Sequence, residues 1–301
     1  MIPVDKKLTF LDGGMGRQLL KMGAPFRQPE WSALALMEAP DFVRQAHRQF
    51  AAAGSDILTS NSYAVVPFHL GESRFKTLGP GLVRLSGQLA REVAGEFQCQ
   101  VAGSLPPLFG SYRPDLFRED EAQAVLQVLI EALDPSVDIW LAETLSSIAE
   151  ARAVAKSLEG DRRPLWISFT LEDRLTSSGP RLRSGETVPM GVRSAAELGA
   201  AALLFNCSPP EVMASALEQA GDEMRRLDLQ LPIGAYANAF QNHDDKSPAN
   251  SAIHDIRHDL DPPAYSACAK EWCDSGATIL GGCCGVGPEH IEAMRATLEK
   301  G

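Results

Sequence analysis

The sequence predicts a single-domain α/β protein, a (β/α)8 TIM barrel spanning residues 1–301. Three observations lead there. Short apolar runs alternate with longer amphipathic stretches eight times and the series closes on a helix, a rhythm that favours a parallel sheet. A length of 301 residues suits one barrel. The connections are also asymmetric. Those from helix to strand are mostly a few residues, whereas 61–80, 105–118, 170–191 and 238–262, each following a strand, are long. Long loops on the carboxyl face of the strands are where barrels keep their active sites. An open doubly wound sheet fits less well: Gly14-Met15-Gly16-Arg17-Gln18-Leu19 lacks the third glycine of a dinucleotide turn, and no Walker sequence occurs.

Taken in order, the apolar run Leu8–Leu11 is the first strand, stopped by Asp12-Gly13-Gly14. A helix over Phe42–Ala53 then leads to a strand over Asp56–Ser60. The Leu-, Val- and Ala-rich stretch Gly81–Glu96 leads to Cys99–Ser104, and Glu119–Leu133 to Asp138–Glu143. Helix Ile148–Leu158 precedes strand Leu165–Phe169, and Val192–Leu198 precedes Ala200–Asn206. Pro210–Arg226 leads to Leu231–Ala237, Pro263–Ser275 to Ala277–Leu280, and Pro288–Glu299 closes the chain.

Composition narrows the function. The chain is 45% hydrophobic and 22% charged, as soluble globular proteins are. A net charge of −11 argues against nucleic acid or an anionic membrane as partner. The N-terminus lacks the apolar core of a signal peptide, and no stretch is long enough to span a bilayer. Six cysteines, two of them adjacent, do not form the pattern of a secreted disulfide framework, so a reducing cytoplasm is expected.

Those adjacent cysteines carry the chemistry. Gly281-Gly282-Cys283-Cys284-Gly285 follows the last strand, and Cys207 follows the apolar run ending at Asn206. Buried cysteines often serve only as small apolar side chains. A vicinal pair framed by glycines, with a third thiol at another strand end, instead matches a catalytic zinc site with its fourth position open. Cys99, Cys268 and Cys273 fall elsewhere and read as structural. In a barrel the same face would gather Asp12, Asn61, Tyr63, Ser104, Glu143, Thr170, Asn206, Tyr236 and Asn238. Asp12-Gly13-Gly14 has two readings, a tight turn or an amino-acid clamp. In the clamp Asp12 takes an ammonium while the Gly13 and Gly14 amides take a carboxylate. Glu143, an acid at the end of a buried strand, is either a helix N-terminal acid or a functional carboxylate at the mouth. Trp31 and Tyr63 are core aromatics or faces for a cationic ligand. His254 and His258, four apart, are read as part of a solvated loop with His243 rather than as a second metal site.

Taken together, Asp12-Gly13-Gly14-Met15, Trp31-Ser32-Ala33, Thr59-Ser60-Asn61-Ser62-Tyr63, Ala142-Glu143-Thr144-Leu145, Ser168-Phe169-Thr170-Leu171, Asn206-Cys207 and Gly281-Gly282-Cys283-Cys284-Gly285 resemble the zinc-dependent homocysteine S-methyltransferase family. The resemblance runs from residue 12 to residue 285 in the family's order, and its specific part is Asn-Cys with Gly-Gly-Cys-Cys. It implies Zn2+ on Cys207, Cys283 and Cys284, with homocysteine sulfur in the open position. It also implies Asp12 and Glu143 on the substrate's amino group, and the Gly13 and Gly14 amides on its carboxylate. Two departures stand out: Phe205 where the family more often has a small aliphatic residue, and Tyr236-Ala237-Asn238 where Tyr-Pro-Asn is common.

Glu30-Trp31-Ser32-Ala33 resembles the branch that uses sulfonium donors, S-methylmethionine or S-adenosylmethionine, and Trp31 and Tyr63 would orient such a cation. A betaine-using or selenocysteine-directed relative is the alternative within the family. Outside it, a cysteine-nucleophile lyase or hydrolase lacks a histidine at any strand end. A non-catalytic zinc barrel would have no use for the Asp12–Glu143 clamp.

Overall fold

The computed structural model describes residues 7–175, 179–241 and 255–299. Its strands are β1 (Thr9–Phe10), β2 (Ile57–Thr59), β3 (Gln100–Leu105), β4 (Ile139–Leu145), β5 (Leu165–Phe169), β6 (Ala202–Asn206), β7 (Ile233–Tyr236) and β8 (Ile279–Leu280). From β2 to β8 each pairs in parallel with its sequence neighbour, and β1 pairs in parallel with β8. Between β1 and β2 the ring is joined by an isolated bridge, Leu11 to Ile57, and by the Asp56 N–H donating to the Phe10 carbonyl at 2.7 Å. The predicted (β/α)8 barrel is therefore the fold.

Helices pack outside: α1 (Met15–Lys21), α2 (Ala33–Glu38), α3 (Pro40–Ala52), α4 (Pro67–Leu70), α5 (Glu72–Phe97), α6 (Glu119–Leu133), α7 (Ile148–Ser157), α8 (Val188–Glu197), α9 (Pro210–Leu227), α10 (Pro262–Asp274) and α11 (Pro288–Leu298). Proline opens α3, α4, α9, α10 and α11, where its missing N–H costs nothing because the first turn has no acceptor for it. None of the described helices is long and apolar enough to cross a membrane.

Strand alternation makes two cores. Ile139 and Leu141 of β4 belong to an inner cluster with Leu11, Ile57, Ala102 and Leu204, drawn from strands around the ring. Trp140 and Ala142 point the other way, into the larger layer between sheet and helices. Trp140 keeps its indole N–H satisfied on Asp161 at 3.0 Å. Phe205 is buried in that outer layer, so this departure from the family pattern lies behind the sheet and away from the mouth.

Two elements differ from expectation. The helix expected from Gly81 begins at Glu72 and runs through Pro80. Phe75, buried, anchors its first turns, and Gly79 leaves room for that ring: a Cβ there would stand 2.8 Å from it. Tertiary burial outweighs the proline signal. The strand expected to end at Glu143 continues to Leu145 through a register shift between Ala142 and Leu145. His243 and His254 lie outside the described residues, and His258 is exposed.

Candidate active site

At the carboxyl end of the barrel, β1 and β8 meet through glycine. A Cβ on Gly14 would stand 2.5 Å from the Cys283 carbonyl oxygen, and one on Gly13 would overlap the Val286 carbonyl and the Phe50 ring. Gly281 and Gly282 are equally crowded against Leu11 and Val286. Bare backbone is what lets residues 12–14 lie directly on the cysteine loop. Gly14 has φ −73°, which any residue adopts, so its requirement is space and not conformation. Gly14→Ala is therefore expected to displace the Cys283 backbone, costing about 1–3 kcal/mol of stability. It should also lower bound metal, whereas Gly16→Ala, which faces only the Phe26 ring at 3.1 Å, should lower neither. Thermal melts and metal content of both variants check this; a Gly14→Ala chain with full metal would show that the seam does not set the loop.

The seam also changes one expectation. The Gly14 N–H donates to the Val286 carbonyl at 2.8 Å and is committed to the backbone. Among the described residues the Gly13 N–H meets no acceptor. Of the two amides expected to face a carboxylate, the Gly13 N–H is the one left open.

Asp12 is buried, with its two oxygens taking the Thr59 hydroxyl and the Thr59 N–H, each at 2.8 Å. Burial, against those bonds, pushes its carboxyl up to about 7. Glu143 takes the Ser104 hydroxyl on one oxygen and lies 3.5 Å from the Tyr236 hydroxyl on the other. Burial again, with Asp12 and Cys207 adding like charge, raises it to about 7. Glu143 faces inward with Ile139 and Leu141 by strand alternation, and the bulge in β4 follows it. The next residue, Thr144, has φ 59° and is held by Asn206, which accepts its N–H at 2.9 Å and donates to its hydroxyl at 2.8 Å. Asn206 is thus a brace for Glu143 as well as the residue before Cys207.

Cys207 itself has φ 51°, and its N–H donates to the Tyr236 carbonyl at 3.1 Å. Its sulfur stands 3.9 Å from that of Cys284, and the sulfurs of Cys207, Cys283 and Cys284 all lie within 4.8 Å of one another. Two thiolates on one tetrahedral zinc, each about 2.3 Å from it, are about 3.8 Å apart, so the set fits one such ion. Among the described residues no other group of three potential ligands is this close. Hydrogen bonds from Cys283 and Cys284 hold the Cys207 thiol well below its usual range, while the same contact pushes theirs well above it. Cys99, Cys268 and Cys273 are free and stand apart from this group.

Above these groups is a cavity of about 220 Å³, lined by Asp12, Glu143 and the three cysteines, and walled by aromatic side chains including Trp31 and Tyr63. Trp31 sits edge-on to Phe26 at 5.6 Å, on a loop tied down by the Asn61 amide donating to the Ser32 carbonyl and by the Glu30–Arg74 ion pair at 2.7 Å. The Trp31 indole N–H is buried without an acceptor. Phe26, Phe240 and Tyr112 also reach the cavity, and sequence reasoning passed over all three. They sit in loops, where no periodicity marks a facing side. Ser104, Thr170, Asn206 and Asn238, expected at the mouth, do not line it. Thr170 bonds Ser208 at 3.1 Å, and Asn238 caps the Phe240 N–H at 3.2 Å.

Comparison with known proteins agrees with this geometry. A family model described as homocysteine S-methyltransferase matches residues 9–298. A homocysteine S-methyltransferase of Escherichia coli (strain K12) is 30% identical, over 97% of this chain and 96% of its own. Homocysteine S-methyltransferase 1 of Zea mays is 27% identical, over 96% of this chain and 94% of its own. The crystal structure of the metallated form of the homocysteine methyltransferase MmuM from Escherichia coli superposes with a TM-score of 0.77, at 27% identity, covering 98% of this chain and 97% of that one.

Proposed function

Given that the chain belongs to the homocysteine S-methyltransferase family, we propose that it transfers a methyl group from a small sulfonium to homocysteine, giving methionine, at a zinc ion held by Cys207, Cys283 and Cys284. The observation that carries this reading is the convergence of three thiols and two buried carboxylates on one cavity. Zinc bound there would supply the Lewis acidity that keeps an incoming thiol deprotonated at neutral pH.

The chain's own residues do the rest. Asp12 and Glu143 take the substrate's α-ammonium, whose charge offsets the burial that raises both carboxyls. The Gly13 N–H faces its carboxylate. Gripped at that end, homocysteine presents its sulfur toward the three cysteines. Trp31, Tyr63 and Phe240 hold the donor's cation against aromatic faces and exclude water, keeping the methyl in line with the nucleophile. A bond then forms between the homocysteine sulfur and the methyl carbon as the donor's carbon–sulfur bond breaks. The electron pair stays on the donor sulfur, which leaves as a neutral thioether, and the thiol proton has already gone to solvent.

The donor is expected to be S-methylmethionine, with S-adenosylmethionine a poorer substitute. Zinc-loaded protein with homocysteine should yield two methionines per turnover from S-methylmethionine, one from each partner. Methionine should be measured with each sulfonium, betaine and methyltetrahydrofolate in turn. Turnover with betaine or the folate alone would overturn the donor assignment and leave the homocysteine site standing.

A further inference from the structure

Tyr112 lies in the loop after β3, with φ 63°, a left-handed conformation that a bulky residue adopts only when its surroundings impose it. Both sides of the loop are fixed. Ser111 shares a 2.7 Å hydrogen bond with the Tyr63 hydroxyl, beyond the end of β2. The Tyr112 ring lies under the Arg183 guanidinium, 4.5 Å from its centre. Arg183 is largely buried, ion-paired with Asp173, and its N–H donates to the Thr170 carbonyl at 3.2 Å, just past β5. The tyrosine is thereby clamped between three strand ends.

What the clamp delivers is one hydroxyl. It stands 3.0 Å from the Cys207 sulfur and 3.3 Å from the Cys207 carbonyl oxygen. A hydroxyl has one proton to give, and the sulfur is both nearer and, as a thiolate, the stronger acceptor. The cation stacked on the ring draws electron density from it and makes the phenol a better donor. Three thiolates around one divalent ion leave the set with excess negative charge, which opposes a fourth sulfur anion. A hydrogen bond to one of them withdraws part of that charge.

We propose that Tyr112 is a positioning residue for methyl transfer: its hydroxyl, fixed by Arg183 and Asp173, donates to the Cys207 sulfur and thereby sets how strongly the metal site accepts the homocysteine thiolate. The proposal rests on the zinc reading above. Nothing in the sequence pattern marks Tyr112, because its partner is 95 residues away.

The test uses the full chain loaded with cobalt(II) as a coloured stand-in for zinc. Tyr112→Phe keeps the ring under Arg183 and removes only the oxygen. It is expected to move the thiolate-to-cobalt charge-transfer band to lower energy, since the Cys207 sulfur becomes more electron-rich. It should also weaken homocysteine binding about tenfold, in the range typical of lost partners to metal ligands. Binding of methionine, which carries no thiol, should not change. A packing role would leave the band in place and alter both ligands alike. Asp173→Asn, which loosens Arg183 while leaving the hydroxyl present, should shift the band in the same direction by less. An unshifted band and an unchanged homocysteine-to-methionine affinity ratio in Tyr112→Phe would overturn the proposal while metal loading of the parent chain upholds the zinc reading. A parent chain that takes up neither cobalt nor zinc overturns both.

Discussion

Cys207→Ala is expected to lose bound zinc and methyl transfer together, with activity falling at least about a thousandfold, or ~4 kcal/mol of barrier. No other thiol can substitute. Cys207 is buried, locked at φ 51° and tied by its N–H to Tyr236, and Cys99, Cys268 and Cys273 stand apart from the cluster. Two ligands from adjacent positions cannot complete a tetrahedral site for which three are supplied. Elemental analysis of protein purified under reductant should show near one zinc per chain for the parent and for Cys268→Ala, and little for Cys207→Ala. Circular dichroism would establish that the variant is folded. Full zinc in a triple alanine variant of Cys207, Cys283 and Cys284 would refute the ligand assignment.

Glu143→Gln should do the reverse, leaving zinc in place while weakening amino-acid binding by about 2–3 kcal/mol, the worth of a buried charged hydrogen bond. Glutamine keeps an oxygen for the Ser104 hydroxyl, so the bulge in β4 is preserved and the lost charge is isolated. A simple alkanethiol, having no ammonium, should be used equally well by parent and variant. The same carboxyls give a pH signature. Asp12 and Glu143 start from ordinary values of 3.8 and 4.5 and are both pushed up to about 7 in the ligand-free protein. Raised acids contribute stability that is present below about pH 4 and lost as pH rises through about 7, where the fold must hold them charged. An ammonium binds only the charged form. Methionine, whose sulfur carries no proton, should therefore bind more tightly as pH rises from 5.5 to about 7.5, then level off, releasing protons as it does so. Its gain in melting temperature should be larger at pH 8 than at pH 5.5. Calorimetry in buffers of differing ionisation enthalpy measures the protons directly. A flat affinity across this range, with no proton release, would refute the coupling between these carboxyls and the bound ammonium.

Much of this site could be read from residue order because a barrel converts sequence position into geometry. Once Leu8–Leu11, Ala200–Asn206 and Ala277–Leu280 are taken as strands, Asp12, Cys207 and Cys283 must share one rim. The method reaches no further than strand ends. It ended β4 at Glu143, short of Leu145, because a bulge breaks the period-two pattern that marks where a strand stops. It began α5 too late because Pro80 is a strong local signal, while the burial of Phe75 is a tertiary fact. Tyr112 and Phe240 come from loops, whose facing is set by contacts such as Arg183 on the Tyr112 ring and Asn238 on the Phe240 N–H. The Gly14 amide, expected to face a carboxylate, donates to the Val286 carbonyl for a related reason. A glycine pair after a strand is equally suited to binding an anion and to admitting another backbone, and only the position of Val286 decides between them.

The glycine seam between residues 13–14 and the loop at 282–286 also fixes when the site can exist. It joins the first strand of the chain to the last, so it is the contact with the greatest loop-closure cost and is made after the intervening strands are in place. On the ribosome, Asp12 waits through the synthesis of seven further strands, and Cys283 and Cys284 leave the tunnel only after the eighth. A barrel stalled short of closure holds Cys207 alone, and a lone thiol has little hold on a metal ion. The proposed zinc is thereby captured only by chains whose ring is complete, and it would tie the end of β6, at Cys207, to the end of β8, at Cys283 and Cys284.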